Sequence, residues 1–259
     1  MREPFIDSRH KPRLARCAVL FLDLLGVSEM NRSRKAAKHH LVQLEQAVTA
    51  TYHDYLSPWS HWPAAFFSDT LVLAAPLDNN RDEALEVRQL ATQGATLQLS
   101  LARAGFFARG GLSIGLFHIR QGLVFGPALV EAYSLESQVA THPRIVLSTE
   151  AAECQRSSQS SPPGQDNPLL ITDGDGWTFI DYLSMQIATD PDDPGPVLCS
   201  HRDRIVESLQ RHRGVRHIWE KYRWVAEYHN DVLRARLPGY EHMLVPNPPM
   251  SWSFAPFPT

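Results

Sequence analysis

The sequence predicts an α/β (α+β) protein with a ferredoxin-like βαββαβ core and a C-terminal helical extension. Three observations carry this prediction. Short apolar runs of strand length alternate with longer segments of helical period as far as residue 183. One hairpin interrupts the alternation, between the first two helical segments, and strand–helix–hairpin–helix–strand is the split βαβ arrangement. From His201 to Leu237 the period is helical again, with no further strand signal.

The elements follow in order. Residues 17–22 (CAVLFL) read as a strand buried at the centre of a sheet, because a short run rich in Val, Leu and Phe suits that place. A helix is expected over about 31–56, with Leu41, Leu44, Val48, Tyr52 and Tyr55 on its buried side. Residues 64–75 read as two strands joined at a polar turn, Ser68-Asp69. A second helix is expected over 81–104, with Leu85, Leu90, Leu97 and Leu101 as its buried stripe. Strands follow at 106–119 and 122–125, and Pro127 opens a helix running to about Val139. Residues 144–148 form a strand, the Ser/Gln/Pro/Gly-rich stretch 155–168 a surface loop, and 169–172 with 177–183 a last hairpin. In the final helical stretch Val215, Ile218, Tyr222, Val225 and Val232 mark the apolar side. The last 22 residues hold six prolines and are expected to be extended. The expected organisation is a functional domain over 1–190, a helical extension over 191–240 and a Pro-rich tail over 241–259.

Composition removes several functions. Lys plus Arg number 25 and Asp plus Glu 28, a net charge of −3 with neutral His. A dedicated nucleic-acid binder would be clearly basic, and a membrane-surface binder needs a cationic field; neither partner is expected. Three cysteines (Cys17, Cys154 and Cys199) form no disulfide framework or zinc cluster, which suits a reducing cytoplasm. Residues 1–16 hold five Arg or Lys but no apolar core of a secretory signal. The longest apolar run, Cys17 to Val27, contains Asp23 and is too short to span a bilayer.

Two carboxylates stand out. Asp23 ends an apolar strand, where an unpaired charge is costly. Asp69 lies in the turn of an apolar hairpin. Each alone would also suit a helix cap or a turn. In a βαββαβ core, however, the end of the first strand and the middle hairpin lie side by side. Two adjacent carboxylates repel unless a cation joins them, and Mg²⁺ or Mn²⁺ on two carboxylates plus substrate phosphates is a usual phosphoryl-transfer arrangement. The backbone N–H groups of Leu25, Gly26 and Val27, leading into the next helix, could cradle phosphate. Arg109 could neutralise phosphate or donate to a base carbonyl; a surface ion pair is the competing use. Of Phe66 and Phe67, beside Asp69, one could line a base pocket, but packing in the core is the expected use. Lys221 is expected to cover the sheet rather than to touch phosphate.

With those residues in place, the chain resembles a known family. Phe21-Leu22-Asp23-Leu24-Leu25-Gly26-Val27 resembles the F-x-D-x-x-G-F segment of class III nucleotidyl cyclases. Phe67-Ser68-Asp69 resembles the hairpin carrying that family's second metal-binding Asp, and Arg109-Gly110-Gly111-Leu112-Ser113-Ile114-Gly115 its strand after the second helix. Gly126 to Glu136 (GPALVEAYSLE) resembles its G-x-x-V-N-x-A-x-R-L-E helix. The resemblance spans about residues 15–185. It implies a class III cyclase catalytic core in which Asp23 and Asp69, with the Leu24 carbonyl, hold two divalent ions (Mn²⁺ or Mg²⁺), in a homodimer with sites at the interface.

The departures shape the expected substrate. The family's Asn and Arg positions are Val130 and Ser134 here, and its purine-reading positions are Ala65 and Leu123. Discrimination of a base needs polar groups matched to its edge, so purines should be poor substrates. The chain resembles the pyrimidine cyclases of bacterial Pycsar antiphage systems. That implies UTP or CTP converted to cyclic UMP or cyclic CMP, which activates a separate effector; of the two, UTP converted to cyclic UMP is expected. Arg109 is a donor suited to uracil carbonyls, and no carboxylate beyond the metal pair is evident to suit cytosine. The alternatives are CTP converted to cyclic CMP, a purine cyclase with unusual base readers, and a catalytically silent nucleotide-binding homologue.

Overall fold

The computed structural model describes residues 4–26, 34–51, 62–77, 82–157 and 169–246. Its centre is the strand the apolar run predicts. β1 (Ala15–Leu24) carries Cys17, Ala18, Val19 and Leu20 with no exposure, since it lies between antiparallel neighbours on both sides. The neighbours are β3 (Thr70–Pro76), which pairs in turn with β2 (Ala64–Phe67), and the long β4 (Ala108–Arg120). The order β2-β3-β1-β4 is that of a ferredoxin-like core. Beyond β4 lie β6 (Ile145–Leu147), which is parallel to it, then β8 (Thr178–Ile180) and β7 (Leu170–Thr172). β5 (Leu123–Phe125) folds back on the far end of β4.

The two faces of the sheet are covered unequally. Even-numbered β1 residues, including Leu20, Leu22 and Leu24, enter the larger apolar cluster. The helices α1 (Arg34–Thr51) and α2 (Glu83–Arg103) contribute to it. So do α6 (Gly195–Arg211) and α7 (Arg216–Arg236). Cys17, Val19 and Phe21 face a smaller cluster under α3 (Pro127–Ser134). That short helix lies close against β4 because Gly111 has no side chain. A Cβ there would sit 2.2 Å from the Ala132 carbonyl oxygen. α4 (Thr149–Ser157) and α5 (Tyr182–Thr189) complete the helices. None of those described is long and apolar enough to cross a membrane.

Several expectations need correction. Leu41 is 63% exposed and Leu85 49%, so among the described residues of those stripes Leu44, Leu90, Leu97 and Leu101 turn inward and these two do not. Val48's side chain and residues Tyr52 and Tyr55 lie outside the described residues. Residues 155–157, expected in a loop, belong to α4, and 158–168 lie outside the described residues. The stretch 201–237 is two helices, broken at 212–215 around Gly214, and α5 goes unpredicted. Phe66 and Phe67 do not enter the core; they are 49% and 80% exposed. The tail is not extended from its start. Glu241–Met243 forms a 3₁₀ turn, and Asn230 brackets Val245, donating to its carbonyl and accepting from its N–H. Residues 247–259 lie outside the described residues.

Candidate functional site

Strand register builds the site. At the end of β1, Asp23 stands opposite Thr70 on one side and Arg109 on the other. Directly opposed residues share a face, so the Asp23 carboxylate and the Arg109 guanidinium meet, Nε to Oδ2 at 3.6 Å. Asp69 enters from the two-residue turn between β2 and β3, where Ser68 takes a φ of 57°. The turn is tied to β1 by the Leu24 N–H, which donates to the Asp69 carbonyl at 2.9 Å. Asp23 and Asp69 are thereby brought to one end of the sheet, near enough that Asp69's charge acts on Asp23.

A third carboxylate joins them. Past α3 the chain makes a π-helical turn, Leu135–Val139, closed by the Ala140 N–H on the Leu135 carbonyl at 2.8 Å. Such turns are often found where a helix must present a functional side chain. This one presents Glu136, which is 3% exposed and lies 2.6 Å from Arg109 Nε. Burial pushes the Glu136 carboxyl up to about 7, with Arg109 opposing and Asp23 adding to the shift. Burial likewise raises Asp23, against Arg109 and with Asp69. Lys221, from α7, completes the group; burial lowers its pKa, as does Arg109, while Asp23 and Glu136 oppose.

Glu136 is given no role by the sequence reading, and Lys221 a different one. For Glu136 a signal existed. Ala128, Ala132 and Glu136 recur every four residues, the first two are buried, and a carboxylate continuing a buried stripe demands a partner. Lys221 should cover the sheet on the sequence reading, but it reaches the carboxylate end of the sheet instead.

The phosphate cradle is narrower than expected. The Leu25 N–H donates to the Phe107 carbonyl at 2.8 Å and is not available, while Val27 lies outside the described residues. Gly26 remains, held at a φ of 81° that favours glycine. Val130 is 64% exposed, and Ser134 turns its hydroxyl to the Val130 carbonyl at 2.8 Å. Leu123 is paired at the opposite end of β4. Its partner Arg120 is eleven strand residues from Arg109, which at about 3.3 Å per residue places it roughly 35 Å away.

The donor chemistry suits a hard divalent cation. Asp23 and Asp69 are oxygen ligands whose mutual repulsion a cation would relieve. Among the described residues no three His, Cys, Asp or Glu side chains converge into a ready-made metal centre. A cation here would therefore depend on the Asp pair, main-chain oxygen and substrate phosphates.

No family model and no curated protein matches the chain. Solved structures do. A bacterial light-regulated adenylyl cyclase is 13% identical with a TM-score of 0.42, covering 56% of this chain and 81% of its own. A guanylyl cyclase is 13% identical with a TM-score of 0.42, covering 65% and 91%. A class III adenylyl cyclase-like ATP-binding protein from Pseudomonas aeruginosa is 17% identical with a TM-score of 0.43, covering 76% and 59%. Likeness at these identities concerns the fold alone.

Proposed function

We propose that the chain is a nucleotidyl cyclase that converts a pyrimidine nucleoside triphosphate to its 3′,5′-cyclic monophosphate and pyrophosphate. UTP and CTP are both candidate substrates. The observation that carries this is the meeting of Asp23 and Asp69 beside Gly26 at one end of the sheet.

Asp23 and Asp69, with the Leu24 carbonyl, would hold Mg²⁺ or Mn²⁺, which when bound supplies charge neutralisation at the phosphates and acidifies the ribose 3′-hydroxyl. The protein's own groups bind and orient. Glu136 fixes Arg109 against Asp23. The hydrogen bond from Leu24 to Asp69 fixes the two Asp main chains relative to each other. Gly26 offers its N–H to a phosphate oxygen. The 3′-oxygen then bonds to the α-phosphorus, the bond to the bridging oxygen breaks, pyrophosphate leaves and the hydroxyl proton passes to water. Both reacting groups belong to one molecule, so orientation supplies much of the rate.

The base preference rests on Ala65 and Leu123, which lack polar groups to read a purine. The further ground for uracil, that no carboxylate besides the metal pair is at hand, is removed by Glu136, and Arg109's Nε is committed to it. A homodimer is part of the proposal. Leu123 lies too far from its own chain's carboxylates to touch a base bound there, so only a second protomer brings it to a site. Phe67, Leu123, Phe125, Val130 and Tyr133, all more than half exposed, are apolar surface that such a partner would cover. An antiphage setting with a separate effector follows from the resemblance alone.

The experiment is incubation of the pure protein with each nucleoside triphosphate and Mn²⁺, with products identified by mass. Cyclic UMP or cyclic CMP supports the proposal; a cyclic purine nucleotide as main product overturns the base assignment. No product from any triphosphate leaves the second reading, a silent nucleotide-binding module, which the exposed Val130 and the Ser134 hydroxyl bonded to its own helix favour.

A further inference from the structure

A pocket of about 480 Å³ opens at the end of β1, between Leu25 and Gly26 on one side and the C-terminal extension on the other. Ile218 and Tyr222 of α7 form part of its wall. Its size is that of a small-molecule site. The charged side chains that line it, Arg211 and Lys221, are both cationic; His40 and His212 also face it, and no carboxylate does so among the described residues. A cleft lined by one sign of charge concentrates counter-ions of the other.

Lys221 stands where this pocket meets the carboxylate group. It feels Asp23, Glu136 and Arg109, yet among the described residues it makes no hydrogen bond or close ion pair. An ammonium that is partly withdrawn from water without an anion in contact is unfavourable, and an anionic ligand would relieve it. Arg211, at the other side, is paired with Glu207 at 2.5 Å and is less available. Gly26 borders the same space with its backbone at positive φ.

We infer that this pocket takes a polyphosphate chain and that Lys221, supplied by the C-terminal extension, is the cation that contacts it. The extension is then a wall of the substrate site. The inference rests on the nucleotidyl cyclase reading for the identity of its natural ligand, but the anion site itself can be tested without catalysis.

The probe is inorganic tripolyphosphate, titrated calorimetrically into the full chain in metal-free buffer and again with Mg²⁺. Wild type should bind, Lys221→Met should bind about tenfold or more weakly, and Lys221→Arg should recover most of the affinity, as expected for a charged hydrogen bond. Arg216→Met, which removes an exposed cation on the same helix, should bind as wild type does. Melting curves verify that each variant is folded; if Lys221→Met is not, the comparison moves to Lys221→Gln. With whichever triphosphate is turned over, Lys221→Met should raise KM for the nucleotide, with Lys221→Arg rescuing it. Absence of tripolyphosphate binding to wild type in both buffers, or equal binding by wild type and the folded Lys221 variant in both, overturns the inference. Turnover with KM and kcat unchanged in Lys221→Met overturns it too while leaving the cyclase reading intact. Lys221-dependent binding without cyclisation of any nucleotide does the reverse.

Discussion

Two buried polar clusters in this protein differ in one respect: whether the groups in them satisfy each other. Under the C-terminal helices they do. Arg144, 1% exposed, gives its two terminal nitrogens to Asp173 and Asp175. The Tyr228 hydroxyl donates to Asp181 at 2.6 Å and accepts from the Leu183 N–H. A chain runs from the Met243 carbonyl through His229 and His201 to the Tyr182 hydroxyl, with steps of 3.1, 3.1 and 2.8 Å. The carbonyl accepts only, so His229 carries its proton on Nε2, His201 on Nδ1, and Tyr182 donates to His201 Nε2. Every group in that chain is neutral and paired. At the end of β1, by contrast, Arg109 Nε and Glu136 Oε1 lie 2.6 Å apart without the alignment of a hydrogen bond, and Lys221 makes no hydrogen bond or close ion pair among the described residues. A satisfied network fixes a structure. A cluster whose buried polar groups are left without hydrogen-bond partners is arranged for something that arrives.

The largest expected effect separates the two clusters directly. Asp23→Ala or Asp69→Ala should reduce cyclisation by about a thousandfold or more, through loss of several kcal/mol of charge stabilisation. Neither should lower the melting temperature, because each removes a repelling charge. Turnover near the wild-type rate in either variant would break the comparison, as would loss of the fold. Glu136→Gln should have a smaller effect, a drop in kcat of roughly tenfold to a hundredfold, since Arg109 loses the buried charge that holds it beside Asp23 while the shape of the site is kept. A Glu136→Gln enzyme with unchanged kcat would show that Arg109 needs no such anchor.

The histidine pair predicts a pH dependence of stability with a definite sign. Burial lowers His201 well below its ordinary value and holds His229 down to about 4. Above pH 6.5, the ordinary value, folded and unfolded histidines are both neutral and full stability is present. As pH falls below it, the unfolded chain binds protons that the folded pair refuses, so stability declines towards pH 4. The slope is about 1.4 kcal/mol per pH unit for each histidine, or about 2 kcal/mol each between pH 7 and 5. Urea denaturation at the two pH values measures it. His201→Phe should flatten the slope by about one histidine's share. An unchanged slope would mean that the pair is not held neutral.

How much of this was legible depended on distance along the chain. β1, the Ser68-Asp69 turn and the start of α3 at Pro127 are written in short runs, and the structure places them as expected. The Asp pair was legible because βαββαβ topology alone brings its two positions together. Leu41 and Leu85 misled because helical period identifies a stripe but not where the neighbouring element stops covering it. Lys221 could not be placed from sequence. It lies in a helix that the βαββαβ pattern does not include, and its approach to Asp23 depends on how α7 packs on the sheet. The Met243–His229–His201–Tyr182 chain was hidden for the same reason, since each link joins a different element.

The smallest expected effect tests whether short distance alone marks an important ion pair. Arg216 and Glu220 meet at 2.8 Å, closer than the 3.6 Å between Arg109 and Asp23. On geometry the first pair looks stronger. Yet the Arg216 side chain is 90% exposed, so water screens the pair and competes for both partners, and two long side chains must be held still to make it. Arg109 and Asp23 are 22% and 24% exposed, with the almost fully buried Glu136 beside them, where charge is screened less and cannot be left unmatched. Arg216→Ala should therefore leave the melting temperature and turnover unchanged within error, while Arg109→Ala should lower turnover and leave Glu136 and Asp23 repelling each other. If thermal melts in low and high salt show Arg216→Ala to be the more damaging change, burial is not what separates the two pairs, and the carboxylate cluster loses its claim to be special.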